Sequence, residues 1–352
     1  MPKKILHILP CNTFSPKFIN LIKENFDYYK HFFLLTSGME EELIKKDKNI
    51  YIAKKTVRHG LSYYLQALLK IHQADKVILH GLFDIKLVIL LFFTPWILKK
   101  CYWVMWGGDL YYHQLGNNDR NYKLKELLRS FIIKRIGNFV TYIEGDYHLA
   151  QQWYGTKGKY HECIMYLSNT FTDYDLPPRH DQSTNILIGN SADPSNNHEE
   201  ILEKLVPYKN EDIKIYCPLS YGDQNHAKQI IEKGKAIFGE KFIPLTEFMP
   251  FDKYLELLAN IDIAIFAHKR QQAMGNTISL LGLGKKVYMR NDITPWQTLS
   301  EMNLKIFNFD NIGSEENLTS LSSEQSLKNS EIIKNYFNKE TLKSQLQKIF
   351  ED

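Results

Sequence analysis

A basic, amide-rich loop follows a short apolar run that ends at Phe266. It consists of His268, Lys269, Arg270, Gln271 and Gln272, and the residues Gly275, Asn276 and Thr277 then open an apolar helical segment. The guanidinium of Arg270 can donate two parallel N–H groups to phosphate oxygens. A helix start adds unpaired N–H groups and a positive dipole end. We therefore predict that this loop binds a diphosphate, although a polar surface loop is the alternative.

A second small-residue turn follows the apolar run Ile186–Ile188. It contains Gly189, Asn190 and Ser191, whose backbone can approach a ligand closely. Asp193, Ser195 and Asn196 come next and are good helix N-caps. The segment therefore predicts either a second part of the phosphate site or a simple capped turn.

Two aspartates are candidate general bases. Asp109 ends the segment Trp106-Gly107-Gly108-Asp109, which follows an apolar run and is rich in aromatic residues suited to sugar faces. Asp146 follows the run Phe139–Ile143 in the same way. Turn formation is the alternative role for Asp109, and helix capping is the alternative for Asp146.

Two further features belong to the first half of the chain. His80 ends the apolar run Lys76–His80, and Gly81 follows it. A histidine at this position either contacts a ligand or packs against its neighbours. The segment Leu87–Leu98 is the most apolar of the chain and is flanked by lysines. It predicts either a buried helix or a segment that docks on a membrane interface.

Apolar runs alternate with helical-period segments along most of the chain, which predicts parallel sheets covered by helices. The predicted strands are Ile5–Leu9, Phe32–Thr36, Lys76–His80, Cys101–Met105, Phe139–Ile143, Asn185–Gly189, Ile213–Cys217, Phe242–Leu245, Asp262–Phe266 and Lys286–Met289. The predicted helices are Pro16–Tyr28, Leu61–His72, Asp84–Leu98, Asn121–Ile136, Asp146–Tyr154, Glu199–Val206, Asp223–Phe238, Phe251–Asn260 and Thr277–Leu283.

A polar, proline-containing stretch interrupts this alternation and predicts a domain boundary. We expect a first doubly wound domain over residues 1–170, a linker over 171–184, a second doubly wound domain over 185–325 and closing helices over 326–352. Ligands of such sheets bind at the carboxyl ends of the strands, so we expect a central cleft faced by both domains.

Composition narrows the function classes. The 352 residues are 44% hydrophobic and 24% charged, which is typical of globular proteins. The four cysteines are far apart, so a disulfide scaffold or a cysteine-based zinc site is not expected. Residues 1–170 carry 24 basic and 14 acidic residues, which favours an anionic partner. Recognition motifs for nucleic acid are absent, as are the Walker, G-x-S-x-G, H-E-x-x-H and G-x-G-x-x-G motifs.

The motifs taken together resemble those of family 56 glycosyltransferases. The resemblance is carried by Trp106–Tyr111, by Ile188–Asp193 with Ser195 and Asn196, and by Arg270–Gln272 with Gly275 and Thr277. It extends to His80-Gly81, Gly145-Asp146, Pro218 with Tyr221, and Pro295-Trp296-Gln297. The chain departs from the family pattern at Gly108, at Ala273 in place of glycine, and by one extra residue within Met289–Trp296.

This resemblance implies a GT-B fold and transfer of a deoxyamino sugar such as 4-acetamido-4,6-dideoxygalactose (Fuc4NAc). The implied donor is a TDP-sugar bound by the second domain without a metal or other cofactor. The implied acceptor is an undecaprenyl-diphosphate-linked saccharide of bacterial surface polysaccharide synthesis, similar to that of enterobacterial common antigen. The enzyme would lie peripherally on the cytoplasmic face of the inner membrane.

The expected site has three parts. Asp109 and Asp146 are the expected catalytic carboxylates. The expected donor-binding residues are Gly189, Asn190, Ser191, Tyr221, Arg270, Gln271, Gln272, Gly275, Asn276 and Thr277, and the expected acceptor-side residues are His80, Gly81, Trp106, Gly107 and Gly108. Two other functions remain open on the sequence: a nucleotide-sugar epimerase of similar architecture, and a non-catalytic nucleotide-sugar-binding component of a polysaccharide assembly complex.

Overall fold

A computed structural model describes residues 3–12, 14–36, 44, 47–52, 57–115, 119–173, 183–313 and 318–352. The chain forms two compact units. Unit 1 comprises Met1–Ser168 together with Lys339–Asp352, and unit 2 comprises Asn169–Asn338. Residues 174–182 of the predicted linker lie outside the described residues.

Unit 1 is built on a seven-stranded, all-parallel sheet. Its strands are β1 (Ile5–Pro10), β2 (His31–Thr36), β3 (Ile50–Ile52), β4 (Lys76–His80), β5 (Cys101–Val104), β6 (Asn138–Val140) and β7 (Lys159–His161). Their spatial order is β3-β2-β1-β4-β5-β6-β7, so the winding direction reverses between β1 and β4. The central strands are apolar and buried because helices cover a doubly wound sheet on both faces.

The helices of unit 1 are α1 (Phe14–Asn25), α2 (Val57–Gln73), α3 (Ile85–Phe92), α4 (Tyr112–Leu115), α5 (Arg120–Ile133), α6 (Glu144–Tyr154) and, near the end of the chain, α13 (Lys339–Glu351). The single helix predicted over Asp84–Leu98 is wrong, because α3 ends at Phe92 and a 3-10 segment, Pro95–Lys100, follows it. Pro95 lacks an N–H group and disfavours helical backbone at Thr94, which explains the break.

Unit 2 is built on a six-stranded, all-parallel sheet. Its strands are β8 (Thr184–Ile188), β9 (Ile213–Pro218), β10 (Phe242–Leu245), β11 (Ile263–Phe266), β12 (Lys286–Met289) and β13 (Phe307–Asn308). The order β10-β9-β8-β11-β12-β13 reverses its winding between β8 and β11. The helices are α7 (His198–Leu205), α8 (Gln224–Phe238), α9 (Phe251–Asn260), α10 (Met274–Gly282), α11 (Thr294–Glu301) and α12 (Ser323–Tyr336).

The predicted class of two doubly wound parallel sheets is confirmed. The three strands that sequence analysis missed, β3, β7 and β13, all lie at sheet edges. They are two or three residues long and only partly buried. Short, polar edge strands protect a sheet from unwanted pairing, and they leave little periodicity to detect.

Candidate functional site

The loops that follow β8 and β11 meet at the carboxyl edge of the unit 2 sheet. These two strands are neighbours at the point where the winding reverses, which is where doubly wound sheets bind ligands. The loop after β8 carries Gly189–Ser191, and the loop after β11 carries Arg270–Gln272. Tyr221 follows β9, on the other side of β8. The structure therefore brings these donor-side candidates together.

A chain of hydrogen bonds joins the three loops. Ser195 Oγ donates to Gln272 Oε1 at 2.7 Å, and Gln272 Nε2 donates to Asn190 Oδ1 at 3.2 Å. Asn190 Nδ2 then donates to the Tyr221 hydroxyl at 3.1 Å. Arg270 Nη2 donates to Ser195 Oγ at 3.4 Å. The cluster thus orders a guanidinium, two amides and two hydroxyls as one polar surface.

Asn196, which sequence analysis treated only as a cap, holds this cluster from beneath. It is fully buried, and its Oδ1 accepts from the Asn190 backbone N–H and from His268 Nε2, both at 2.8 Å. Its Nδ2 donates to the carbonyls of Ser191 and Asp193. One amide side chain therefore fixes both loops of the site. A single polar residue gave no signal in the sequence that the fold would bury it.

Gly189 has a φ of +63°, which favours glycine. A Cβ atom there would lie 2.5 Å from His198 Nε2 and 2.8 Å from Asn196 Oδ1. Only glycine therefore fits between the strand end and the buried side chains. The close approach of backbone to a ligand, which the sequence predicts at this position, stays a prediction.

Helix α10 begins at Met274, three residues before its predicted start. Its N-cap residue, Ala273, has a φ of +55° and a side chain that cannot accept a hydrogen bond. The side chain of Asn276 donates to the Tyr254 hydroxyl, and that of Thr277 donates to the Ala273 carbonyl. What the helix start offers to a ligand is thus its backbone N–H groups and its dipole.

The charges at the carboxyl edge of the unit 2 sheet suit an anion. Burial, followed by the nearby charge of Arg270, lowers the pKa of His268 to about 3, so this ring is neutral at pH 7. Burial alone would raise the pKa of Asp193, but hydrogen bonds from Ser195 and the charge of Arg270 lower it overall. Arg270 consequently supplies a permanent positive charge next to a neutral histidine.

Unit 1 has a cavity of about 370 Å³ at its own winding reversal. Its lining residues come from the ends of β1, β2 and β4 and from the start of α3: Ile8, Leu9, Pro10, Thr36, His80, Gly81, Phe83, Asp84, Lys86 and Leu87. His80 and Gly81 line this cavity, and their predicted place on the acceptor side stays a prediction. Trp106 packs edge-to-face against Phe83, with ring centroids 6.3 Å apart.

The carboxylate of Asp109 is engaged in holding its own loop, and its expected role as a proton acceptor stays a prediction. Its side chain is 1% exposed, and burial raises the pKa of the carboxyl even though its hydrogen bonds lower it in part. Oδ2 accepts from Trp103 Nε1 at 2.7 Å and from the Leu82 N–H at 3.1 Å. Oδ1 accepts from the N–H groups of Trp106 and Leu110. Four donors thus occupy the carboxylate and fold the Trp106–Asp109 loop around it.

A buried arginine completes this arrangement and was missed by sequence analysis. The guanidinium of Arg129, on α5, donates to the carbonyls of Leu82 and Asp109, and its Nε lies 3.3 Å from Glu126 Oε2. Glu126 also accepts from the Tyr154 hydroxyl at 2.8 Å. Arg129 therefore clamps the loop after β4 to the loop after β5, so that His80–Gly81 and Trp106–Asp109 share one support.

Replacing Asp109 by asparagine is expected to destabilise unit 1 rather than to slow chemistry alone. The amide would turn an NH₂ group toward two of the four N–H donors and leave buried groups unpaired, at a cost of about 3 kcal/mol. Thermal unfolding followed by circular dichroism measures this effect. A variant as stable as the wild type that loses only turnover would restore Asp109 as the catalytic base.

Asp146 also has a buried, structural position. It lies in the first turn of α6, is fully buried, and accepts a long hydrogen bond of 3.4 Å from the Tyr111 hydroxyl. A carboxylate in a first helical turn is stabilised by the helix dipole. The N-cap residue of α6 is Ile143, so Asp146 is not the helix cap that the sequence offered as its alternative role, and its expected role as a general base stays a prediction.

Within the described ranges, no three His, Cys, Asp or Glu side chains are grouped so that they could hold a metal ion. Among the helices described here, none combines the length and apolarity that a membrane span requires.

The sequence model of one protein family matches residues 13–347 of the chain. Its description is 4-alpha-L-fucosyltransferase, glycosyl transferase group 56. The match includes the loops that follow β8, β9 and β11 in unit 2. It also includes the elements that line the cavity of unit 1, apart from β1.

Solved glycosyltransferase structures share the fold over nearly the whole chain. Anabaena HepE, in complex with UDP and glucose, has a TM-score of 0.70 at 11% identity, covering 99% of each chain. WaaG, a glycosyltransferase involved in lipopolysaccharide biosynthesis, has a TM-score of 0.64 at 12% identity, covering 99% of this chain and 98% of that one. A glycosyltransferase from Rickettsia africae has a TM-score of 0.62 at 16% identity, with the same coverage. The fold is therefore GT-B, as expected.

Proposed function

Since the chain belongs to glycosyl transferase group 56 and is a glycosyltransferase of the fucosyltransferase type, we propose that it transfers a 4-acetamido-4,6-dideoxyhexose such as Fuc4NAc. The proposed donor is a TDP-sugar. The proposed acceptor is an undecaprenyl-diphosphate-linked saccharide of surface polysaccharide synthesis, similar to that of enterobacterial common antigen. The observation that carries the donor half of this proposal is the Arg270 cluster at the winding reversal of unit 2.

Departure of the nucleoside diphosphate is the step that this cluster would assist. When the bond between the sugar and the diphosphate breaks, negative charge grows on the leaving phosphate oxygens. Arg270 and the N–H groups at the start of α10 are positioned charges that stabilise such an anion without further rearrangement. Gly189 lets backbone approach the donor, while Asn190 and Gln272 present amides to it. In this proposal the reaction needs no metal.

A donor panel tests this half of the proposal. Purified protein is heated with UDP, GDP and TDP, with the corresponding sugar nucleotides, and in the presence of EDTA. We expect selective stabilisation by TDP and TDP-sugars that survives the chelator. Stabilisation by UDP alone would change the proposed donor. No shift with any nucleotide would contradict a diphosphate site at the Arg270 cluster.

The acceptor half of the proposal is supported by an exposed apolar surface on unit 1. Helix α3 packs against α5, and the neighbouring Trp96 donates a hydrogen bond to His72 on α2 at 3.1 Å. The exposed apolar residues on these elements are Leu65, Leu69, Ile89, Phe93, Trp96, Leu124 and Leu127. Exposed basic residues lie among them, namely Lys86, Lys99, Arg120, Lys123 and Lys125. We propose that this surface docks on the anionic inner membrane, where a lipid-linked acceptor resides.

Replacing both Phe93 and Trp96 by serine is expected to weaken binding to phosphatidylglycerol-containing vesicles about 100-fold, since each buried aromatic side chain is worth about 1.5–3 kcal/mol. These two side chains are 70% and 66% exposed, so the variant should remain folded. Phe248 in unit 2 is 77% exposed, and Phe248→Ser is the matched control. Vesicle sedimentation measures the binding. Equal binding by the double variant and the control would contradict this docking surface.

A further inference from the structure

Three histidines form a buried line across three adjacent strands of unit 1. His31 lies on β2, His7 on β1 and His80 on β4, and all three are 3% exposed or less. His7 Nε2 is 2.9 Å from His31 Nδ1, and His7 Nδ1 is 3.2 Å from His80 Nε2. The line crosses the winding reversal between β1 and β4, beneath the cavity that His80 lines.

The line continues to the loop that bears Trp106. His80 Nδ1 is 2.5 Å from the Tyr166 hydroxyl, and Trp106 Nε1 is 3.2 Å from the same hydroxyl. Tyr166 therefore stands between the histidine line and an indole on the acceptor side. Neither Tyr166 nor the two additional histidines were singled out by the sequence motifs.

The indole sets the direction of one of these hydrogen bonds. An indole N–H can only donate, so the Tyr166 oxygen accepts from Trp106, and we assign the phenolic proton to the 2.5 Å hydrogen bond with His80 Nδ1. Burial keeps the rings neutral, lowering the pKa of His80 to about 3 and that of His31 to about 4. A neutral His80 that accepts at Nδ1 carries its proton on Nε2 and donates to His7. By the same reasoning, His7 donates from Nε2 to His31.

The backbone next to Tyr166 is held in a strained conformation. Met165 has a φ of +68°, which is unfavourable for a residue with a long side chain. The Tyr166 N–H bonds to the Ile164 carbonyl at 2.9 Å, closing a tight three-residue turn. The Ile164 N–H is held in turn by Gln345 Oε1 of α13 at 2.8 Å. Strain of this kind persists where the surrounding structure fixes a conformation, often at functional sites.

We propose that Tyr166 is a positioning residue for acceptor binding: it anchors the Trp106 indole beside the unit 1 cavity, and the line His80–His7–His31 holds its hydroxyl in one orientation. Trp106 also packs against Phe14 and Phe83, with ring centroids 5.6 and 6.3 Å away. Phe83 lines the cavity, so rotation of the indole would reshape its mouth. The proposal rests on the proposed transferase function for its kinetic readout only.

Tyr166→Phe tests this proposal because it keeps the ring and removes only the hydroxyl. With the nitrogen of Trp106 released, the KM for the acceptor should rise about tenfold, while the KM for the donor stays within about twofold. Tyr147→Phe is the matched control, since it also removes two hydrogen bonds of a tyrosine hydroxyl in unit 1, one to the Gly158 carbonyl at 2.8 Å and one from Gln151 Nε2 at 3.0 Å, away from the cavity. An unchanged acceptor KM in Tyr166→Phe, or the same rise in the control, would overturn the proposal.

Nuclear magnetic resonance of ¹⁵N-histidine protein provides a readout that needs no activity. We expect His7, His31 and His80 to be neutral at pH 7 and protonated on Nε2, with the tautomer of His80 disturbed in Tyr166→Phe but not in Tyr147→Phe. A proton on Nδ1 of His80 in the wild type would overturn the assigned direction. If the wild type shows the expected tautomers yet transfers no sugar, the proposed function fails and the anchored Trp106 stands.

Discussion

Arg270→Lys is expected to lower kcat about 100-fold with little change in the stability of unit 2. Lysine keeps the charge but cannot donate two parallel N–H groups to a departing diphosphate. Removing one preorganised donor to a developing anion commonly costs about 100-fold to 1,000-fold in kcat. Because the effect falls on charge that develops during the reaction, kcat should change more than the KM for the donor. Steady-state kinetics with the identified donor provides the measurement.

Arg290→Lys is a matched control for this experiment. Arg290 also lies in unit 2, but it pairs with Glu200 at 3.4 Å and Asp292 at 3.2 Å rather than with the cluster. Its replacement should leave kcat within about twofold, since lysine keeps the charge and both carboxylate partners are exposed. If Arg270→Lys keeps more than about a third of the wild-type kcat, the cluster is not the diphosphate site.

The second large effect is a loss of stability in mild acid. Burial is the main cause of a lowered pKa for the partly exposed His161 and for five buried histidines: His7, His31 and His80 in unit 1, and His198 and His268 in unit 2. Their ordinary pKa is 6.5, so between pH 6.5 and about 4 the unfolded chain binds more protons than the folded one. Their contribution to stability is therefore present above pH 6.5 and is lost as the pH falls.

Between pH 7.5 and pH 5, each of these histidines should reduce the free energy of unfolding by about 2 kcal/mol. The three in unit 1 together amount to about 6 kcal/mol, a large part of the stability of an ordinary domain. We expect the Tm of unit 1 to fall by about 15 °C over this range, measured by circular dichroism in matched ionic strength.

Two variants separate the buried histidines from other acid effects. His268→Gln can still donate to Asn196 and should reduce proton uptake on unfolding by about one at pH 5.5. His148 has a side chain that is 60% exposed, so His148→Gln removes no buried histidine and is the matched control. A Tm that moves by less than about 3 °C between pH 7.5 and pH 5 would contradict the buried, neutral histidines.

The fold was predictable because strands buried on both faces form continuous apolar runs, which stand out against the helical-period segments between them. Lys76–His80 and Lys286–Met289 have the predicted bounds, and both lie inside their sheets. The edge strand Lys159–His161 is short and polar, so it carries no such signal. The break after Phe92 was readable in principle from Pro95, but the apolar character of the whole segment favoured one continuous helix.

The meeting of the loops in unit 2 was predictable for a topological reason. Loops that follow neighbouring parallel strands meet at one edge, so Asn190 and Gln272 came together although 82 residues separate them. The support of the site was not predictable in this way. Asn196, Arg129 and Tyr166 act through partners that are distant in sequence, and a single polar residue gives no sign that the fold will bury it. The burial of Asp109 was hidden for the same reason.

The most direct test of the transferase account is a single-turnover transfer assay. Wild-type protein is mixed with TDP-Fuc4NAc labelled in the sugar and with an undecaprenyl-diphosphate-linked acceptor in anionic vesicles, and the lipid phase is extracted. We expect label to move into the lipid phase as TDP is released in equal amount. In Arg270→Lys, the lipid product and the released TDP should decline together. Label released as free or epimerised sugar without any lipid product would contradict it.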